Sequence, residues 1–212
     1  DNWIKLEEGL PYGNKMGRSS VAVSYSNPEK AYVLIDNLAK SRTNAAEVYR
    51  TENGGETWER THKEELLIFP GIGWYFTDIY VSPDNDDEIY GLGVRAAYSN
   101  NGGKSFKNLK GVVKRLNPSQ AKGLHLDHCE LWINPKNPNH IAVGNDGGLF
   151  VSFDKGESWL HYNNLPTGES MILNWIIKYH TTYMVAPKTM QQSMVLQMNG
   201  IIRLMKNGNI SG

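Results

Sequence analysis

The densest cluster of chemically versatile side chains in the sequence is His125-x-Asp127-His128, followed by Glu130. Two imidazoles and two carboxylates so close together could ligate zinc or supply a general acid and a general base. On an extended strand alternate side chains share a face, so His125 and Asp127 converge while His128 points away, unless a bulge intervenes. Satisfied polar groups of a loop would give the same pattern. We predict His125 and Asp127 as catalytic residues and no metal site.

A third candidate catalytic residue is Asp78. It precedes the alternating segment Ile79 to Val81, at the position equivalent to that of Glu130 in its own segment. Glycoside hydrolysis uses two carboxylates that flank the scissile bond, about 5 to 9.5 Å apart depending on mechanism. Asp78 and Asp127 are therefore predicted as such a pair, and the sequence leaves their separation open.

Two further segments carry groups that bind sugars. In Gly73-Trp74-Tyr75-Phe76 the rings of Trp74 and Tyr75 offer faces on which sugars stack, whereas Phe76 fits a core position. In Asn145-Asp146-Gly147-Gly148 the tandem glycines allow a ligand to approach the backbone, although the same tetrad is an ordinary turn. The predicted ligand-binding residues are Trp74, Tyr75, His128 and Asp146.

An eight-position pattern that occurs three times predicts the elements that position these residues. Its hydroxyl and its Asn or Asp hydrogen-bond nearby amides, its Gly takes positive φ, and its closing aromatic packs on a neighbouring layer. We predict a structural role for all its members. They are Thr51, Asn53, Gly55, Thr57 and Trp58, then Ser99, Asn101, Gly103, Ser105 and Phe106, then Ser152, Asp154, Gly156, Ser158 and Trp159.

A predicted hairpin precedes each of these turns. In each of three segments apolar and polar residues alternate, a polar turn follows, and the alternation resumes. These segments are Val21 to Tyr32, Ile79 to Tyr90 and Leu131 to Val143. Two hairpins per repeat give four strands, and four-stranded sheets repeated every 50 residues or so are typical of β-propeller blades. The predicted fold class is all-β, a partial propeller of four-stranded antiparallel blades. The first repeat carries an insertion from Asp36 to Ala46.

The same repeats predict the domain organisation. Residues 1–11 match the strand after the third turn and are predicted to be the last strand of a preceding blade; blades then cover 12–62, 63–110 and 111–169. Residues 170–212 contain no Asp or Glu, and six of the seven methionines lie there. This abrupt change predicts a frameshifted tail, the alternative being a Met-rich terminal segment.

Composition excludes several classes of partner. With 22 basic and 22 acidic side chains the formal net charge is zero, which argues against nucleic acid as a partner. No apolar run is long enough to span a membrane, and the N-terminus lacks the layout of a signal peptide. Cys129 is the single cysteine, so no intrachain disulfide forms and the compartment stays open.

The three turns resemble Asp-boxes, the repeats of sialidases, of sortilin-type receptors and of xyloglucan hydrolases. The resemblance covers residues 1 to about 169, and His125 to Trp159 is similar to a segment of bacterial proteins described as sortilin-like or glycosyl-hydrolase-like. Two turns depart from the pattern, because Asn53 and Asn101 stand where Asp is typical. The sialidase branch fits less well, since no trio of channel arginines recurs in the repeats.

The resemblance implies an extracytoplasmic propeller, periplasmic or extracellular, without a cofactor. One function class that it implies is a glycoside hydrolase acting on or binding polysaccharide. The other is a non-catalytic, sortilin-like propeller that binds a peptide or protein. First strands of blades line the central channel, where ligands of these families bind, which favours His125 and Asp127. The chain alone is predicted to be inactive because the ring needs further blades.

Overall fold

The structure, a computed structural model, describes residues 8–40, 45–69, 71–114 and 123–162. Apart from one 3-10 turn at Gly13–Lys15, the regular elements in these ranges are β-strands, so the all-β prediction is confirmed. No helix within them has the length and hydropathy needed to cross a membrane. Most of the predicted first segment, 1–11, and the predicted aberrant tail, 170–212, lie outside the described residues.

Twelve of the strands form three antiparallel meanders, one per predicted repeat. The first sheet comprises β1 (Met16–Val23), β2 (Ala31–Asn37), β3 (Ala46–Thr51) and β4 (Glu59–Arg60). The second comprises β5 (Asp78–Val81), β6 (Ile89–Leu92), β7 (Ala96–Ser99) and β8 (Lys107–Asn108). The third contains β10 (His128–Ile133), β11 (Ile141–Asn145), β12 (Gly148–Ser152) and β13 (Ser158–Tyr162).

The third sheet has a fifth strand that the four-stranded prediction did not include. β9 (Val112–Lys114) pairs in parallel with β13, with Val112 opposite Ser158 and Val113 opposite Trp159. After leaving the second sheet, the polypeptide thus first runs along the outer edge of the third sheet as β9 and then continues into β10, the first strand of that sheet. This pairing satisfies backbone groups that an uncovered edge strand would leave open.

The insertion in the first sheet is shorter than the sequence predicted. Asp36 and Ala46, the predicted ends of the insertion, face each other as a pair between β2 and β3. Only residues 38–45 therefore separate the two strands, and the buried residues of β2 continue to Asn37.

The three repeated turns share one hydrogen-bond network. In each turn the hydroxyl of the first residue accepts a hydrogen bond from the amide of the fifth residue, the glycine, at 3.0, 3.0 and 2.8 Å. Oδ1 of the Asn or Asp at the third position accepts a hydrogen bond from the amide of the residue at the seventh position. Each turn also binds the first hairpin of its own sheet through a backbone amide that donates to Glu29, Asp87 or Asn139. These contacts define the lower rim of the molecule, where all three turns lie.

The closing aromatic of each turn packs against residues that precede its own sheet in the chain. Leu10 shares a cluster with Trp58, His62 meets Phe106 edge to face at 5.5 Å, and Leu109 shares a cluster with Trp159. The sheets are therefore joined by buried apolar layers. The layer between the first two contains Leu34, Val48, Ile68, Ile79 and Ile89; the next contains Leu92, Leu109, Leu131, Val143 and Phe150.

Candidate functional site

The first strands of the three sheets, β1, β5 and β10, are edge strands of their sheets, and β5 contacts both β1 and β10. The amide of Ile79 on β5 donates to Ser20 Oγ on β1 at 3.3 Å, and Tyr80 on β5 reaches Glu130 on β10. We call the end at which these strands begin the upper rim. It is opposite the lower rim and carries the candidate residues.

Asp78 begins β5 and lies between neighbours from two sheets. Its Oδ2 is 3.7 Å from Nη2 of Arg18 on β1, and 29% of its side chain is exposed. Burial raises the pKa of Asp78, and the Arg18 guanidinium opposes that rise. A carboxyl that is partly buried and still reaches solvent can exchange a proton with a bound ligand.

Glu130 occupies on β10 the position that Asp78 has on β5. The registers agree, because Asp78 lies three residues before the Val81–Ile89 pair and Glu130 lies three before the Ile133–Ile141 pair. The Tyr80 hydroxyl donates to Glu130 Oε1 at 2.9 Å. Burial raises the pKa of Glu130 to about 7, with the charge of Asp78 adding to the rise and the Tyr80 hydrogen bond opposing it.

Asp127 and His125 lie in a turn before β10 and not on a strand, as the alternation argument had assumed. Asp127 has φ 61°, and its amide donates to Val94 O at 2.9 Å. A strand face therefore does not bring the two side chains together. Burial raises the pKa of Asp127, Asp146 adds to the rise and His125 opposes it, so these three groups act on one another.

His128 begins β10, with only 2% of the residue exposed. Its Nδ1 is buried and makes no hydrogen bond in the structure. Burial, followed by the neighbouring His125, lowers the pKa of His128 to about 4, so its imidazole is neutral at pH 7. The register shifts between His128 and Glu130, which is the kind of irregularity that the sequence argument had allowed.

Asp146 is exposed at the tip of the β11–β12 hairpin. Asn145 pairs with Gly148, and the Gly147 amide donates to Asn145 Oδ1 at 2.9 Å, so the tetrad forms a tight turn. Gly147 is required at this position, because the Cβ of any other residue would lie 2.7 Å from His125 Cβ. The turn interpretation of the tetrad is thus correct, and the turn holds Asp146 near His125.

The aromatic segment before β5 forms a compact unit at the upper rim. Tyr75 meets Trp74 and Phe76 edge to face, at 5.5 and 4.6 Å between ring centroids. Trp74 is 67% exposed, whereas Phe76 is buried as predicted. Gly73 abuts the buried carboxyl of Asp36 at the end of β2. The segment is therefore held against the first sheet and presents one free aromatic face.

The structure groups the candidates into two carboxylate pairs. Asp78 interacts with Glu130, and Asp127 interacts with Asp146; Asp78 is not among the charged groups that act on Asp127. Among the described residues no three His, Cys, Asp or Glu side chains cluster as a metal site would require. Glu130 and Tyr80 were not among the predicted site residues, and the signal for Glu130 was its repeat equivalence with Asp78.

Three comparisons with known proteins bear on the fold. No protein-family model matches the chain. It is 24% identical over 169 residues to an oligoxyloglucan-reducing end-specific xyloglucanase from Emericella nidulans, a match that covers 75% of the chain and 20% of that enzyme. The GH74 xyloglucanase from Xanthomonas campestris superposes with a TM-score of 0.52 at 18% identity, over 70% of this chain and 24% of that one. YCF48 from Cyanidioschyzon merolae aligns with a TM-score of 0.45 at 18% identity, over 72% and 38%.

The chain has the fold of a partial β-propeller, and the meanders described above are its blades. The fold is like that of the GH74 xyloglucanase, and at 18% sequence identity the likeness concerns the fold alone. The chain spans about a fifth of the curated relative and about a quarter of the crystallised xyloglucanase.

Proposed function

We propose that this chain is part of an extracytoplasmic β-propeller that binds and hydrolyses a polysaccharide at the upper rim. The observation that carries the proposal is the presence of partly buried carboxyl groups, each with a raised pKa, where neighbouring first strands begin. Asp78 and Asp127 are the proposed catalytic carboxylates, and His125 acts beside Asp127. The xyloglucanase relative makes a xyloglucan-like glycan the first substrate to test.

The proposed ligand contacts surround these carboxyl groups. Trp74 offers an exposed ring and Tyr75 supports it from the side, an arrangement suited to stacking on a pyranose. Asp146 extends into solvent beside Asp127, where it can accept hydrogen bonds from sugar hydroxyls. His128 is buried, so its part in binding is to hold the start of β10 and not to touch the ligand.

We also propose that the three repeated turns are Asp-boxes with a structural role. Their shared hydrogen bonds link residues of the same turn, and they lie on the lower rim, away from the candidate site. Propeller closure by further blades is part of the proposal. Val21 and Val23 on β1 and Tyr25 beyond it are exposed, as expected of a face that another blade covers.

The test is hydrolysis of a panel of polysaccharides by the complete protein that contains this chain. Xyloglucan, mixed-linkage glucan and a peptide library form the panel, and the variants are Asp78→Asn and Asp127→Asn. Asp84→Asn is the matched control, since Asp84 is an exposed carboxylate on the lower rim. We expect each upper-rim variant to lose at least about 100-fold in turnover. Tight peptide binding without glycan turnover would overturn the proposal in favour of a non-catalytic, sortilin-like propeller.

A further inference from the structure

Charged side chains from three neighbouring blades form a chain along the upper rim. Arg18 on β1 lies against Asp78 on β5, and Tyr80 on β5 donates to Glu130 on β10. Each contact crosses from one blade to the next. This series of side-chain contacts therefore forms only when the three blades are assembled.

Asp78 and Tyr80 point to the same side of β5, because side chains two residues apart on a strand share a face. The Tyr80 hydroxyl reaches Glu130 Oε1 at 2.9 Å, so that face is turned toward β10. The Asp78 side chain therefore lies on the face of β5 that is turned toward Glu130. The electrostatic effect of Asp78 on both Tyr80 and Glu130 agrees with this placement.

The two carboxyl groups have different surroundings. Asp78 has a cation beside it, since the guanidinium of Arg18 stabilises its ionised form. Within the described part of the chain no cation acts on Glu130 in this way: the titratable groups that act on it there are Asp78 and the neutral phenol of Tyr80, both on β5. On its own strand His128 is neutral at pH 7. Burial raises the pKa of both carboxyl groups, and a cation opposes that rise only at Asp78, so the unlike surroundings allow Glu130 to serve as the acid and Asp78 as the base.

We propose that Glu130 is a further catalytic residue, the proton donor that acts together with Asp78, and that Tyr80 is the positioning residue that orients its carboxyl group. This assignment rests on the proposed glycan hydrolysis. In this assignment Glu130 takes the place of Asp127 as the catalytic partner of Asp78, and Asp127, with His125 and Asp146, contacts the substrate.

In this reaction Glu130 gives its proton to the glycosidic oxygen while the bond from that oxygen to the anomeric carbon breaks. The bonding electron pair leaves with the oxygen. Asp78 accepts a proton from a water molecule whose oxygen bonds to the anomeric carbon. One water is consumed, and the proton returns from Asp78 through solvent to Glu130, so neither an oxidant nor a metal is required.

The first test does not need activity. The side-chain carboxyl of Glu130 is titrated by carbon-13 NMR in the 212-residue chain, with Glu130→Gln used to assign its resonance. We expect an apparent pKa of about 7 and a lower value in Asp78→Asn, because a like charge has been removed. Titration of Glu130 in the usual range of a glutamate, unmoved by Asp78→Asn, would overturn the proposal whether or not the protein hydrolyses glycans.

The second test uses the complete protein and the substrate found in the hydrolysis panel. Glu130→Gln is expected to lower kcat/KM by at least about 100-fold, whereas Glu56→Gln, an exposed carboxylate on the lower rim, leaves it unchanged. Tyr80→Phe is expected to move the alkaline limb of the pH profile to higher pH, because the Tyr80 hydrogen bond lowers the pKa of Glu130. A merely structural role for Tyr80 would not move that limb.

The outcomes separate the two proposals. Glycan hydrolysis that survives Glu130→Gln and is lost in Asp127→Asn refutes Glu130 as the donor and keeps the proposed function. Titration of Glu130 at about 7 without any glycan turnover by the complete protein refutes the proposed function, and with it the catalytic role of Glu130.

Discussion

Lys155 Nζ lies 2.8 Å from Glu88 Oε2, and this ion pair ties the repeated turn of the third blade to the first hairpin of the second. Glu88 is almost fully buried and also accepts the hydroxyl of Tyr90 at 3.1 Å. Removing the lysine leaves a buried carboxylate without its cation, which is costly. The pair therefore makes the interface between the two blades sensitive to a single charge.

We expect Lys155→Met to lower the free energy of unfolding by about 2–3 kcal/mol, the loss of a charged partner by a buried carboxylate. Lys107→Met is the matched control, because Lys107 also pairs across the same two blades, with Glu157 at 2.8 Å, but both side chains are mostly exposed. The control should stay within about 0.5 kcal/mol of the parent. Urea denaturation at pH 7 measures both, and equal losses would contradict the expectation.

His128 makes stability fall in acid. Its pKa is about 4 in the folded state and about 6.5 in the unfolded state, so the unfolded chain binds the extra proton first. The stabilisation is present above pH 6.5 and is lost as the pH falls toward 4, by an amount on the order of 3 kcal/mol. In urea denaturation between pH 4 and 7, the free energy of unfolding should depend less steeply on pH in His128→Leu than in the parent protein. Parallel curves would show that His128 does not titrate this way.

Glu130 acts with the opposite sign. Its pKa in the folded state is about 7, against 4.5 as its reference value, so the folded state holds the proton longer. The stabilisation is present below pH 4.5 and is lost as the pH rises through 7. Glu130→Gln should therefore gain about 3 kcal/mol over the parent at pH 8 and nothing at pH 4. Chemical denaturation at these two pH values measures the difference, and an equal effect at both would contradict it.

The third repeated turn should tolerate replacement of the Asp154 carboxylate by an amide, but not the loss of the whole polar group. Asp154 accepts the Ser158 amide at 2.8 Å and the Ser158 hydroxyl at 2.5 Å, whereas in the first turn the Asn53 amide donates to Thr57 at 2.9 Å. We expect Asp154→Asn to cost less than about 1 kcal/mol and Asp154→Ala about 2 kcal/mol. Thermal unfolding compares them. Equal losses would mean that the charge, and not the hydrogen bonds, stabilises this turn.

Gly156 is needed for both its backbone conformation and its lack of a side chain. Its φ is 90°, and a Cβ would lie 2.5 Å from Leu109 Cδ1. We expect Gly156→Ala to lower the free energy of unfolding by about 2–4 kcal/mol. Gly13→Ala is the control, because Gly13 has φ 62° with open space around it, so only the strain of about 1 kcal/mol remains. Urea denaturation of both variants separates the contact from the strain, and similar losses would contradict the role of Leu109.

The blades could be predicted from the sequence because their signals are local. Hydroxyl, Asn or Asp and Gly at fixed spacing determine each turn, and alternation determines each hairpin. β9 could not be predicted, since its parallel pairing with β13 joins residues far apart in the chain and leaves no local mark. Asp127 was placed wrongly on a strand because its left-handed backbone accompanies bonds to another blade, in which the Asp127 amide donates to Val94 O and the His128 amide donates to Gly93 O. Glu130 carried a signal, its equivalence to Asp78, but its burial and its bond to Tyr80 depend on how two blades pack.

Each turn aromatic packs against residues that precede it in the chain: Leu10 before Trp58, His62 before Phe106, and Leu109 before Trp159. During synthesis from the N-terminus, the closing aromatic residue of each repeated turn is therefore made after the residues against which it packs. The turn aromatic of a new blade therefore docks onto residues that have already been made, whereas Tyr90 on β6 is covered by Leu131 and Phe150 of the blade made after it. For the three turn aromatics the order of translation and the order of docking coincide, which limits the time in which these rings could contact other unfolded chains.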